Sequence, residues 1–127
     1  MKAIAALVSF VLFASGAQAQ SLNEKSDLSV QCRKEAAERF ARDWSEHGKA
    51  NFANHYNFRL NKCFYLEDST FYEGAEKTSN LIDLHENRVI GSYDKLEGDA
   101  FVVCSVQGQR CASEAEWRAL IKPLMDE

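Results

Sequence analysis

The segment HYNFRLNKCFYL, residues 55–66, has the pattern of a β-strand, a tight turn and a second strand. The apolar residues of the first strand share one face: Tyr56, Phe58 and Leu60. The residues between them are polar and share the other face: His55, Asn57, Arg59 and Asn61. Because side chains alternate across a strand, we expect one face in the core and the other in solvent. Asn61 tolerates the positive φ of a tight turn, which predicts a hairpin, although Lys62 in place of glycine leaves one continuous bent strand as the alternative.

An amphipathic helix is predicted before this hairpin, from about Ser29 to His47. Apolar residues recur in it at helical spacing: Val30, Ala37, Phe40, Ala41 and Trp44. Gly48 follows where a left-handed residue commonly ends a helix, and His47 suits the negative end of the helix dipole. Residues 20–28 are polar and without periodicity, and we expect them to form a flexible leader.

More strands are predicted after the hairpin. Residues 67–79, EDSTFYEGAEKTS, combine acids, glycine and small polar residues, and indicate a loop or a wide connection. Leu81–His85 and Arg88–Tyr93 indicate a second hairpin, in which Gly91 marks a bulge or a close approach of another backbone. The run of β-branched residues in Phe101–Val106 predicts a further strand.

The last predicted element is a short helix. Ser113 and Glu116 form a capping box at its start. Apolar residues follow at helical spacing: Trp117, Leu120, Ile121 and Leu124. Pro123 is expected to end or kink this helix near Lys122.

The element order predicts an α+β fold in one domain, residues 29–127. It consists of an N-terminal helix, a four- to five-stranded, mostly antiparallel sheet and a C-terminal helix. Two amphipathic helices can cover one face of such a sheet, which predicts a two-layer sandwich.

Residues 1–19, MKAIAALVSFVLFASGAQA, have the pattern of a cleaved export signal. Lys2 provides the positive start, Ala3–Ala14 form an apolar core and Ala17–Ala19 is a small-x-small cleavage motif. The apolar core is shorter than the roughly 20 residues that span a bilayer, and no cysteine follows the cleavage site for lipid attachment. We therefore expect a periplasmic or secreted protein whose mature form has no membrane anchor.

The charge balance disfavours nucleic acid as a partner. The whole chain carries a net charge of −4, and removal of residues 1–19 would take away one lysine and no acid, leaving −5. Binding to a nucleic-acid backbone normally needs a basic surface.

All four cysteines lie beyond the export signal, which predicts two disulfides. Three pairings are possible. We favour Cys104 with Cys111, since the six residues between them can make a tight turn, and this leaves Cys32 with Cys63. A four-thiolate metal site is the less favoured alternative, because the sequence has no C-x2-C pair.

The polar row His55, Asn57, Arg59 and Asn61 is the first candidate binding surface. Its donors and acceptors, bordered by aromatic residues, suit a glycan or a partner protein. The competing interpretation is the ordinary solvent face of a half-buried strand, with asparagines that serve turns.

A second candidate is the set His55, Asp83 and His85, provided that the two hairpins are adjacent. Two imidazoles and a carboxylate can bind zinc, and a histidine beside an acid can act as a general base. The alternative is a pair of exposed histidines. The sequence contains no recognised catalytic or phosphate-binding motif, and it predicts no cofactor.

Three segments together resemble a set of small exported bacterial proteins of unassigned function: HYNFRLNKCFYL, LIDLHENRVIGSYDK and the closing C-x6-C before a tryptophan-bearing helix. The resemblance covers most of the chain from Cys32 onward, and its distinctive part is the HYN…LNKCF segment. It implies export and a disulfide-bonded domain, and it carries no catalytic residues over to this chain.

These observations lead to three hypotheses of function. The first is a non-enzymatic periplasmic or secreted binding or inhibitor module that acts on an envelope or extracellular protein or glycan. The second is a small metal-dependent or general-base hydrolase that uses His55, Asp83 and His85. The third is a structural component of the cell envelope.

Overall fold

Six antiparallel strands, counted over the described residues 22–44, 49–99 and 102–127 of the computed structural model, form one sheet in which each strand pairs with the next. The strands are β1 (Lys49–Asn57), β2 (Lys62–Phe71), β3 (Glu76–Asp83), β4 (Arg88–Leu96), β5 (Val102–Val106) and β6 (Gln109–Arg110). The helices are α1 (Leu22–Trp44) and α2 (Glu114–Met125). The predicted α+β class and element order are confirmed. The sheet has more strands than predicted because the short β6 pairs with β5.

The predicted first hairpin is confirmed, but β1 ends three residues before the end of the apolar alternation. Asn57 pairs with Lys62, so residues 58–61 form the turn. Asn61 has a φ of 55°, in the left-handed region that asparagine tolerates. The backbone N–H of Leu60 donates a 2.9 Å hydrogen bond to Oδ1 of Asn57. The Asn57 side chain thus satisfies a backbone N–H of the turn, which favours the end of the strand at this residue.

The two helices pack on opposite faces of the sheet. In β2, Cys63 and Tyr65 belong to the α1 side, whereas Phe64 and Leu66 belong to the α2 side. The buried residues of the α1 side are Cys32, Ala36, Tyr56, Cys63, Tyr65 and Ile82. Those of the α2 side are Phe64, Leu66, Leu81, Tyr93, Cys104, Val106, Trp117, Ile121 and Leu124. The expectation of two layers with both helices on one face is therefore wrong, because β2 is apolar at four successive positions and buries both faces.

Helix α1 begins at Leu22, seven residues before the predicted start at Ser29. The segment expected to be a flexible leader is thus helical from Leu22 onward, and that expectation is wrong for these residues. Tertiary contacts supply the reason. Leu28 packs against the buried cluster of the α1 side, and the ammonium of Lys25 lies 5.5 Å from the centre of the Phe58 ring.

Helix α2 starts as predicted and continues past its proline. The hydroxyl of Ser113 accepts a 3.1 Å hydrogen bond from the N–H of Glu116, and the Glu116 carboxylate accepts one from the N–H of Ala112. Pro123 lies inside the helix, which ends at Met125 rather than near Lys122. A proline this close to the end removes only one late hydrogen bond, and burial of Leu124 offsets that loss.

Both favoured disulfides are confirmed. Cys32–Cys63 joins α1 to β2, with a Cα–Cα distance of 5.4 Å. Cys104–Cys111 joins β5 to the residue that follows β6, with a Cα–Cα distance of 4.9 Å. No cysteine is free, so the four-thiolate alternative does not apply.

The predicted loop at residues 67–79 is wrong for most of its length. Strand β2 continues to Phe71 and β3 begins at Glu76, so that a turn of only four residues separates them. These strand ends carry polar side chains on both faces, and the sequence pattern for a half-buried strand did not mark them. They form the floor of a groove beside α2.

No helix in the described part of the chain is both long and apolar enough to cross a membrane. The predicted export signal at residues 1–19, the predicted helix end at His47 and Gly48, and Phe101 all lie outside the described residues.

Candidate functional site

Three residues of the predicted polar row hold the C-terminal end of α2. The amide of Asn57 donates hydrogen bonds to the carbonyls of Pro123 and Leu124 at 3.1 and 3.3 Å. Nε2 of His55 lies 2.6 Å from the carbonyl oxygen of Glu127, and Nε of Arg59 lies 3.1 Å from its carboxylate. The last carbonyls of a helix lack partners within the helix, so Asn57 acts as a cap of α2, whereas His55 and Arg59 bind Glu127 just beyond the end of the helix.

Asn57 is fully buried, and Asn61 lies in the turn, apart from the end of α2. The exposed fraction of Asn57 is 0%, which corrects the expectation that the whole row faces solvent. Asn61 accepts a hydrogen bond from the hydroxyl of Tyr56, a residue of the α1 side. The four residues are therefore not one exposed surface, because the strand ends at Asn57 and the row does not continue through the turn.

Asp83 is buried in an ionic network, apart from any open site. Its carboxylate accepts a hydrogen bond from Lys62 and two from the backbone N–H groups of His85 and Glu86, at 3.0 and 3.2 Å. Burial acts to raise the pKa of Asp83, but the hydrogen bonds from Lys62 and the Glu86 N–H outweigh it and place the pKa below its ordinary value. The same bond to Asp83 raises the pKa of Lys62.

The two histidines of the second candidate set contact different parts of the structure. The ring of His85 lies 6.4 Å from that of Tyr56, whereas His55 contacts Glu127 at the end of α2. Within the described ranges, no group of three histidine, cysteine, aspartate or glutamate side chains is placed to bind a metal ion. The structure therefore does not bring His55, Asp83 and His85 together as a metal centre.

A groove of about 530 Å³ lies on the α2 side of the sheet, at the end where β2 meets β3. Cross-strand pairing places two rows of side chains on its floor. One row consists of Lys49, Thr70 and Lys77, and the other of Asn51, Asp68, Ser79 and Tyr93. Glu114 and Arg118, from the first turns of α2, form its wall. We call these nine residues the polar groove.

Ionic contacts join four of the five charged side chains of the polar groove, Lys49 being the exception among the described residues. Arg118 lies 3.3 Å from Oδ1 of Asp68 and 3.7 Å from the carboxylate of Glu114. Lys77 lies 3.8 Å from Glu114. The hydroxyl of Ser79 donates a second hydrogen bond to Oδ1 of Asp68, and Ser79 itself is 5% exposed. Both donors use Oδ1, so Oδ2 of Asp68 accepts no hydrogen bond from the described residues.

The polar groove offers both donors and acceptors on a floor of paired strands. Lys49, Lys77 and Arg118 are cationic donors, whereas Asp68 and Glu114 are acceptors. Its volume lies within the usual range of about 300–1,000 Å³ for small-molecule sites. The arrangement can bind a ligand that has several polar groups and at least one acceptor for a cation.

Sequence reasoning missed this groove because it assigned residues 67–79 to a loop. Thr70 and Lys77 are distant along the chain from Lys49, and only the strand register brings the three into one row. Asp68 and Thr70, and likewise Lys77 and Ser79, are two residues apart and therefore share one face of a strand. This spacing did not predict strands, because the residues on the other face are polar as well.

Comparisons with known protein families, with curated proteins and with solved structures found no match to this chain.

Proposed function

We propose that this protein is an exported, non-enzymatic binding module that holds a polar ligand in the polar groove. The two disulfides are consistent with a secreted or extracellular protein, because such bonds persist in oxidising compartments. The predicted export signal at residues 1–19 supports the same compartment.

One observation carries the proposal: a row of polar side chains from β1, β2 and β3 is preorganised beside α2. Sheet register fixes the backbone spacing of Lys49, Thr70 and Lys77, and ion pairs join Glu114 of the wall to Lys77 and Arg118. A ligand that binds to such fixed groups loses less free energy to the ordering of side chains.

The geometry favours binding over hydrolysis at this groove. His55 and His85, the histidines of the described chain, lie outside it, and all four cysteines are paired. The groove itself has cations, carboxylates and hydroxyls. The original polar row at His55, Asn57, Arg59 and Asn61 is accounted for by helix capping and turn formation, and we therefore place the ligand in the polar groove.

The proposal is tested by nuclear magnetic resonance with ¹⁵N-labelled protein and separate pools of saccharides, amino acids and short peptides. We expect at least one pool to shift the amide signals of Asn51, Thr70 and Ser79 in a saturable manner. Lys77→Ala is expected to weaken that binding. Lys34→Ala is the matched control, since Lys34 lies on α1 with a side chain that is 75% exposed.

Saturable shifts that map to another surface, or binding that Lys77→Ala leaves unchanged, would show that the polar groove is not the ligand site.

A further inference from the structure

We infer that the ligand of the polar groove is an acidic saccharide, a short chain of sugar units that carry carboxylates. This inference rests on the proposed function, and it adds the chemical class of the ligand. The charge of the groove, a row of lysines across the strands, the unused acceptor of Asp68 and the hydroxyl-bearing floor support it.

The polar groove contains more cationic than anionic side chains. Its lining contains three cations, Lys49, Lys77 and Arg118, and two carboxylates, Asp68 and Glu114. It is thus net positive in a chain whose net charge is −4. Such a local excess of positive charge attracts an anion even when the whole protein is acidic.

Three lysines lie in one row across the strands. Lys49 and Lys77 flank Thr70 in one cross-strand row, and Lys95 continues the row on β4 opposite Lys77. Adjacent strands lie about 4.7–4.9 Å apart, so the row presents cationic side chains over about three strand spacings. An extended ligand with repeated carboxylates fits this row better than a single small anion does.

The two carboxylates of the polar groove differ in their free hydrogen-bonding capacity. Glu114 is paired with Lys77 and Arg118, and Lys49 has no carboxylate partner among the described residues. Oδ2 of Asp68 remains an acceptor for a ligand hydroxyl, as its two bonds both use Oδ1. An acidic peptide has few hydroxyl donors to offer to this acceptor. A sugar acid provides hydroxyl donors and carboxylate acceptors in each unit.

The hydroxyls and amides on the floor agree with this ligand. Asn51 is exposed and Thr70 is half-buried in the two rows. Their side chains both donate and accept hydrogen bonds, as the hydroxyl groups of a saccharide require.

Isothermal titration with trigalacturonate and with its fully methyl-esterified form tests the inference, because esterification removes the three charges, adds three methyl groups and keeps the sugar hydroxyls. The full mature chain is used, and NMR shifts at Asn51, Thr70 and Ser79 confirm the place of binding. We expect the free acid to bind at least about tenfold more tightly than the ester, since a charge-assisted hydrogen bond is stronger than a neutral one. Lys77→Ala and Lys49→Ala should each weaken binding of the acid, and Lys34→Ala should not.

The outcomes separate this inference from the proposed function. Equal affinity of acid and ester in the groove would overturn the acidic class and leave the binding function standing. Tighter binding of triglutamate than of trigalacturonate would show that the ligand is an acidic peptide, and would overturn the saccharide. If neither the acid nor the ester shifts groove signals while another pool does, the inference is wrong and the function is retained.

Discussion

Asn57 joins three parts of the molecule through a single buried side chain. Its oxygen accepts from the N–H of Leu60 in the turn, and its nitrogen donates to the carbonyls of Pro123 and Leu124 at the end of α2. The amide thus satisfies backbone groups of a hairpin and of a helix that are more than sixty residues apart. A buried amide with these partners belongs to the fold, which explains why a polar residue occupies a 0% exposed position.

We expect Asn57→Ala to reduce the free energy of unfolding by about 2–3 kcal/mol, because it leaves buried carbonyls and a turn N–H without partners. Urea denaturation followed by circular dichroism measures the effect. Arg59→Ala is the control, since its pair with Glu127 is largely exposed and should contribute about 1 kcal/mol or less. Similar losses for the two variants would contradict the structural role given to Asn57.

The network of Asp83 and Lys62 predicts a particular response to acid. The pKa of Asp83 is lower in the folded protein than its ordinary value of 3.8, so the carboxylate stabilises the fold above that value. This stabilisation is lost as the pH falls through the lowered folded pKa. We expect Asp83→Asn to lose less thermal stability than wild type between about pH 6 and about pH 2.5.

Differential scanning calorimetry over that range measures the difference. Asp27→Asn, on the exposed face of α1, is the matched control and should follow the wild-type profile. A variant profile at Asp83 that is parallel to wild type would contradict the assigned stabilisation.

Among the elements, α2 depends on a glycine in β4 for its close approach to the sheet. A Cβ atom added at Gly91 would lie 3.0 Å from Cζ3 of Trp117, 3.1 Å from its Cη2 and 3.3 Å from the carbonyl oxygen of Ser105. Of the two sequence-based interpretations of Gly91, the bulge is confirmed, because the register of β3 and β4 shifts between Leu81 and Ile82. The close approach is mainly that of the Trp117 side chain rather than that of another backbone.

We expect Gly91→Ala to destabilise the protein by about 1–3 kcal/mol through overpacking. The cost should be smaller in a Trp117→Phe background, because phenylalanine lacks the second ring. Nε1 of Trp117 has no hydrogen-bond partner among the described residues, so that background loses packing and no hydrogen bond. A double-mutant cycle by urea denaturation measures the coupling, and additive losses would contradict direct contact of Gly91 with Trp117.

The elements also show how far sequence patterns extend. Period-two alternation predicted the hairpin at residues 55–66, and helical spacing predicted both helices, since each has an apolar face. The strand ends that form the polar groove were not predicted, because Asp68 and Lys77 lie where both faces are polar. The start of α1 at Leu22 depends on tertiary contacts of Leu28 that local spacing does not contain.

Over the whole molecule, the sheet is a central layer with one helix on each side. The α1 side has fewer buried residues than the α2 side, whose larger cluster surrounds Trp117. The disulfide Cys32–Cys63 links α1 to the sheet. This difference implies that the α1 layer depends on its disulfide more than the α2 layer depends on Cys104–Cys111.

We expect Cys32→Ala with Cys63→Ala to be the more damaging of the two double replacements. The sequence separations are 31 residues for Cys32–Cys63 and 7 for Cys104–Cys111. The chain-entropy treatment then gives stabilities of about 3.7 and about 2.4 kcal/mol for the two bridges. Urea denaturation measures the losses, and circular dichroism at 222 nm reports whether α1 remains helical. A larger loss from Cys104→Ala with Cys111→Ala would show that the α2 layer, rather than the α1 layer, relies on its covalent link.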